Sequence, residues 1–288
     1  MWQEAPAAKG DTFMTTQHRP RRRGLAPLAL ALVGLGAACV PAYGPTPVKI
    51  YDSNPAPVPG NVSSQGFQCC QVAEFGDQIT FAGTARTLRS ATVTMSDWAV
   101  QADYPSLNDP TGWNHPLTLN IYAVGPNDTN GRATTGSLLG TLTQTFHIPW
   151  RPAADPVNCP ATPTKFQSQP GAVNTNCYSG LANQVTFDLA TLNLTAPSQI
   201  VWGVAFNTQS FGAAPIGTPG PFNSLNVGAQ GNAPSIGTHA NGDAAWIRST
   251  LGSPFCDGIG GPTFRPDTGC APGNGWTGYT PEISFSAI

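Results

Sequence analysis

Residues 43–288 contain two glutamates, Glu74 and Glu282, and eleven aspartates. A pair of carboxylates flanking a glycosidic bond can hydrolyse it, one as acid and the other as base or nucleophile. Glu74 precedes the first strong strand-like run and Glu282 begins the last one, so a closed sandwich could make them neighbours. Both positions are strand edges, where solvated charge is the ordinary role, and no catalytic residue is assigned. Acyl transfer by a Ser-His-Asp relay needs a histidine held between nucleophile and acid. His115 lies in a turn, His147 in a strand-like run and His239 in a Gly/Asn loop, with no G-x-S-x-G elbow. No H-x-H or C-x-x-C spacing marks a transition-metal or thioredoxin-type site.

Binding chemistry has better candidates. Trp113, Trp150 and Trp276 lie in polar loops, where they could form an exposed platform stacking against a glycan. Capping one end of a sandwich is their competing role. Asn127–Asn130, Asp103 with Asn108-Asp109, and Asp77 supply oxygen ligands of the kind Ca²⁺ takes. The same residue types close ordinary turns through their own backbone. A structural Ca²⁺ is therefore the cofactor considered, with no metal ligand assigned.

The cysteines set the compartment. Of seven, Cys39 falls in an apolar N-terminal run and six remain, an even number that reads as a disulfide framework in an exported chain. Spacing favours Cys159 with Cys177 and Cys256 with Cys270, each closing a loop worth on the order of 3 kcal/mol in the chain-entropy account. Cys69 and Cys70 are then left. Adjacent cysteines can close a vicinal disulfide, pair elsewhere or serve a redox role; a structural bridge at a loop is the favoured reading.

Export is read from residues 1–42. A basic region at 18–23 precedes an apolar run at 25–38, too short for the roughly 20 residues that span a bilayer. Cleavage after Ala42 is favoured over cleavage after Ala38, which would leave Cys39 open to lipidation. Residues 43–288 then form one secreted domain. It carries eight Lys and Arg against thirteen Asp and Glu, with no basic face, which argues against a nucleic-acid partner. No second apolar run reaches membrane length.

The elements that must position these residues are strands. Gly 32 and Pro 29 interrupt every candidate helix, at about 1–3 kcal/mol each. Alternating runs occur at Val48–Asp52, Leu117–Val124, Leu138–Ile148, Gln184–Leu189, Ile200–Asn207, Leu225–Val227, Ala245–Arg248 and Glu282–Ala287. In Glu74–Val100, Ile79 and Phe81 share a face, and Ala91, Val93 and Met95 oppose Thr92, Thr94 and Ser96. A turn near Gly83 divides this stretch, and the phase slips between Leu88 and Ala91, suggesting a turn, and between Met95 and Trp98, suggesting a bulge. The fold class expected is all-β: a two-layer antiparallel sandwich, jelly-roll-like, with long disulfide-pinned loops at Asp103–His115, Pro149–Gly180 and Thr208–Ala244.

EFGDQITFAGTARTLRSATVTMSDWA (Glu74–Ala99), continued by NHPLTLNIYAVGP and GSLLGTLTQTFHIPWRP, resembles the opening of secreted bacterial β-sandwich proteins. These include the extracellular modules of choice-of-anchor and PEP-CTERM-type surface proteins. The likeness covers Val48 to Thr208, with weaker echoes in SLNVG and the final strand. It implies the fold and defines no catalytic residues to carry over. The terminal EISFSAI shows no LPxTG signal, apolar tail or Arg cluster, so the resemblance without an anchor implies release into the medium. The function expected is that of a non-catalytic extracellular or cell-surface protein, structural or binding, with a glycan as candidate ligand. A polysaccharide hydrolase and a subunit of a self-assembling extracellular structure are the alternatives.

Overall fold

The computed structural model describes residues 44–167, 176–209, 217, 220–240, 244–269 and 278–288. Residues 1–43, which contain the expected leader and Cys39, lie outside the described residues, as do Cys270 and Trp276. Gly44–Ile288 forms one compact unit. Sixteen strands are described. The first eight are β1 (Val48–Asp52), β2 (Ser64–Gly66), β3 (Val72–Thr80), β4 (Leu88–Asp97), β5 (Gly112–Val124), β6 (Thr135–Pro149), β7 (Phe166–Gln167) and β8 (Cys177–Tyr178). The rest are β9 (Leu181–Asp188), β10 (Gln199–Phe206), β11 (Leu225–Gln230), β12 (Thr238–His239), β13 (Trp246–Ser249), β14 (Gly261–Pro266), β15 (Thr280–Pro281) and β16 (Ile283–Ala287). Among the described residues helix is limited to three short 3₁₀ turns, and none is long and apolar enough to cross a membrane.

Two seven-stranded antiparallel sheets pack face to face. The first runs β1-β16-β4-β11-β15, with β2 on β11 and β9 on β4; the second runs β14-β13-β3-β10-β5-β6, with β12 on β3. The chain passes repeatedly from one sheet to the other, from β3 to β4, β9 to β10 and β10 to β11, so each sheet interleaves early and late strands. The result is an all-β sandwich, as the sequence pattern predicts.

Alternation decides which side chains meet between the sheets. Phe75 and Ile79 of β3, Val93 and Met95 of β4, and Trp202 and Val204 of β10 join one continuous core. Each such side chain contributes about 1.5–3 kcal/mol by leaving water. The opposite face of β4 is the hydroxyl row the sequence shows. Thr92 meets Thr186 of β9 at 2.9 Å and Ser90 meets Ser286 of β16 at 2.7 Å, cross-strand pairs of the kind that stabilise a sheet face. Over this face lies the Pro-rich segment 53–63. Asn54 donates to the Thr92 carbonyl and accepts from Thr94, and Asn61 accepts from Ser96.

Several expectations need correction. The phase slip between Leu88 and Ala91 is a bulge inside β4: Ala287 faces Leu88 and Ser286 faces Ser90, which skips Arg89. The turn lies at Gly83, where the sequence also places one, and its φ of +61° suits glycine. The slip after Met95 is the end of β4 at Asp97, not a bulge. The last residues of the Asp103–His115 insert belong to β5, because Trp113 and His115 already alternate with the core positions that follow. β14 carries two prolines and pairs only with β13, which places it at a sheet edge where proline is tolerated.

The central pairing depends on two glycines. Gly76 and Gly203 face each other across β3 and β10. A Cβ at Gly76 would stand 1.8 Å from the Trp202 carbonyl oxygen, which is backbone and cannot swing away. Gly76→Ala is expected to lower stability by about 3 kcal/mol through forced separation of the two strands, read as a shift in the urea midpoint.

Candidate functional site

At one end of the sandwich, the segment before β5 and the 3₁₀ turn Pro221–Ser224 border a groove of about 270 Å³. Leu107, Trp113, Pro221 and Phe222 give it an apolar lining, and Asn108, Asp109 and Asn114 a polar one. Gly112 permits the close approach of β5 to β6 there, since a Cβ would stand 2.1 Å from the Ile148 carbonyl oxygen.

Trp113 and Trp150 are not an exposed platform. They are 4% and 8% exposed, and both belong to the core. Trp113 meets Phe222 edge-on at 5.7 Å, Trp150 at 6.4 Å and His115 at 5.2 Å. Trp150 stacks on Tyr104 and donates to the Asp109 carbonyl at 2.8 Å. The reason is the early start of β5, which carries Trp113 onto the inward face, where an indole gains more from burial than from solvent. Trp113 still lines the groove, so it is a wall of a recess. Among the described residues the tryptophan left in solvent is Trp98, at the end of β4 and 44% exposed, with its indole N–H on Ser96.

Polar groups around the groove differ sharply. Asp97, fully buried, accepts from the Trp113 indole at 3.4 Å and from the Ala99 amide, and burial pushes its carboxyl up to about 7. Asp109 stands in solvent, and its hydrogen bonds from Thr111 hold it below the usual carboxylate range. Thr111 in turn meets His147 Nε2 at 3.0 Å. His115 has no hydrogen-bond partner on either ring nitrogen, and burial among aromatic rings lowers it to about 4, which keeps it neutral.

The two glutamates are not brought together. Glu74 is on β3 of the second sheet and Glu282 leads into β16 of the first, with no shared hydrogen-bond partner among those described. Glu74 is fully buried on the outer face of β3. Its carboxylate lies against Gly203, where a Cβ would stand 2.2 Å from Oε1. That bare backbone lets it cross β10 to reach Asn120 at 2.9 Å and Tyr122 at 3.0 Å, both on β5. Arg248 of β13 supplies the countercharge to Oε2. Burial raises the Glu74 pKa, while Arg248 and the hydrogen bonds oppose that rise. Glu282 shares Thr94 with the 53–63 segment, and burial pushes it up to about 7.

Asp77 and His239 form a cluster that sequence reasoning misses. His239 Nδ1 meets Asp77 Oδ2 at 2.6 Å and the Tyr51 hydroxyl at 3.3 Å, and Nε2 meets Thr280 Oγ1 at 3.5 Å. The order acid, imidazole, hydroxyl is that of a proton relay, but Thr280 is fully buried, and the cluster ties β1, β12 and β15 to β3. Residues 162 positions apart leave no local signal of such a pairing. Asp128, a candidate Ca²⁺ ligand, pairs with Arg132 at 2.7 Å and caps the Asn130 and Arg132 amides. Among the described residues no three His, Cys, Asp or Glu gather as a metal set.

Cys159 and Cys177 form the expected disulfide. The expected pairing of Cys256 with Cys270 reaches outside the described residues. Cys69 and Cys70, expected to bridge, are free thiols.

No family model, curated protein or solved structure matches this chain.

Two outcomes follow from the buried carboxylates. Arg248→Met leaves Glu74 buried without its cation and should cost about 3 kcal/mol, even with Arg248 a third exposed. Glu74→Gln on that background should recover most of the loss, by urea denaturation. Glu282 keeps its proton in the folded chain up to about pH 7, while in the unfolded chain it ionises near about 4.3. Its contribution is thus fullest below about pH 4.3 and is lost as pH rises through 7. Glu282→Gln should therefore equal wild type near pH 4 and exceed it by roughly 3 kcal/mol at pH 8, measured by melting across pH.

Proposed function

We propose that this protein is an exported, non-catalytic binding protein whose ligand is a sugar unit of an extracellular glycan, held in the end groove. The observation that carries the reading is the groove's lining. Trp113, Phe222, Leu107 and Pro221 offer an apolar surface to a pyranose face, beside Asn108, Asp109 and Asn114, whose side chains suit hydroxyl groups. A volume of about 270 Å³ suits one sugar residue of a longer chain. The basic region at 18–23, the apolar run at 25–38 and the even count of remaining cysteines support export. The resemblance of Val48–Thr208 to secreted bacterial sandwich proteins points the same way.

A hydrolase reading has one observation in its favour. Asp97 and Asp109, near the same groove, have carboxyls pushed in opposite directions, the pattern of an acid paired with an ionised partner. Asp97 is fully buried and hydrogen-bonded to Trp113, so it acts as an anchor for the groove wall.

A glycan array run with and without Ca²⁺, followed by titration of the hits, tests the reading. Phe222→Ala and Asn114→Ala should each weaken binding by about tenfold, the effect of one aromatic or hydrogen-bond contact, with unchanged circular dichroism. Affinity lost in Trp98→Ala and kept in Phe222→Ala would move the ligand to the outer face and overturn the groove assignment. Sugar release from the hits would favour the hydrolase.

A further inference from the structure

The turn between β2 and β3 presents two thiols side by side. Phe67 and Val72 anchor its ends: both are fully buried, Phe67 stands edge-on to Phe75, and the Val72 amide donates to the Phe67 carbonyl at 2.9 Å. Between these anchors the chain bulges outward, with Cys69 exposed and Cys70 half-buried against the core. The Cys69 thiol donates to the Gly66 carbonyl oxygen at 3.2 Å. The Cys70 carbonyl accepts from Ser249 Oγ at 2.8 Å, and Gln71 meets Thr250 at 3.2 Å, so the turn is fastened to the end of β13.

We propose that Cys69 and Cys70 form a reversible dithiol switch that reacts with small-molecule disulfides. Cys69 is the attacking group and Cys70 the resolving group. The Cys69 thiolate attacks one sulfur of the disulfide, whose S–S bond breaks, and the first thiol leaves and takes a proton. The Cys70 thiol then loses its proton to solvent and attacks Cys69 Sγ, which expels the second thiol. The protein dithiol has given two electrons, the small disulfide has become two thiols, and a vicinal disulfide remains. Reduction by a dithiol runs the sequence backwards.

Two physical arguments support these roles. Cys69 is exposed and Cys70 half-buried, so the outer sulfur is the one a small disulfide reaches; the neighbouring Cys70 thiol also lowers the Cys69 thiol to about 7, while Cys70 is itself raised. Adjacent Cα atoms stand about 3.8 Å apart, below the roughly 4.4–6.8 Å of ordinary disulfides, so the closed ring is strained and easily reduced. That strain falls on the 69–70 peptide, adjacent to the Cys70 carbonyl that Ser249 holds. Closing the ring therefore pulls on the link to β13.

The full chain, Cys69→Ser and Cys70→Ser should be treated with oxidised glutathione and read by peptide mass. The wild type should yield a 69–70 disulfide in the peptide that carries both residues, without retained glutathione. Cys70→Ser should keep one glutathione on Cys69, and Cys69→Ser should react far more slowly at this turn. At pH 7 the wild type should also be alkylated at Cys69 about threefold faster than Cys70→Ala, which has no donor beside Cys69, the gain in thiolate partly offset by lower nucleophilicity. Retention of glutathione on wild-type Cys69, or equal alkylation rates in the two proteins, would overturn the assignment.

Discussion

Glu74 and Asp77 occupy opposite faces of β3, and water reaches neither. A strand covered on both sides normally carries apolar residues throughout. This one carries two carboxylates, and each must find its partners inside the protein, because an unpaired buried charge costs several kcal/mol. Glu74 does so by lying across the bare backbone of Gly203 to reach β5, while Arg248 approaches from β13. Asp77 does so through His239 on the inner side. The positions of β5, β10, β12 and β13 around β3 are thus tied to the needs of two acids. The same glycines that bring the strands close make room for the carboxylate, which couples packing and electrostatics at one spot.

The groove is a by-product of how that sheet ends. β5 begins at Gly112, where the chain passes too close to β6 for any side chain, and the next residue turns its indole inward. Phe222, on a short turn just before β11, meets that indole edge-on. The recess is therefore bordered by parts of both sheets. On its polar side Asp109 accepts from the Thr111 amide, which fixes the local backbone, and Asn114 is set in β5. Groups so held are already ordered before a ligand arrives, which lowers the entropy lost on binding.

Most of the strands were legible because alternation is a local signal. The faces of β4 follow directly from period two, with Val93 and Met95 inward and Thr92 and Thr94 outward. Trp113 was misjudged because the polar residues before it suggested a loop, and only the register with β6 shows the strand starting earlier. The separation of Glu74 from Glu282 depends on which sheet each strand joins, and nothing in either segment specifies that. Asp77 with His239 is likewise a long-range fact. The Cys159–Cys177 pair was readable because a short loop between cysteines limits the choices; Cys69 and Cys70 were not, since adjacency constrains what they can do without selecting it.

The interleaving of early and late strands has a consequence for a chain that is cut. The Cys159–Cys177 bridge encloses a sequence separation of 18 residues, so one cleavage inside it leaves a single covalent molecule. Neither resulting segment holds a whole sheet: β3 lies between β10 and β13, and β4 takes β9, β11 and β16 as partners. Each piece is the template on which the other completes itself. The bridge keeps the two templates at the high local concentration that such mutual completion requires, and a nick in this loop becomes a change of connectivity without a loss of architecture.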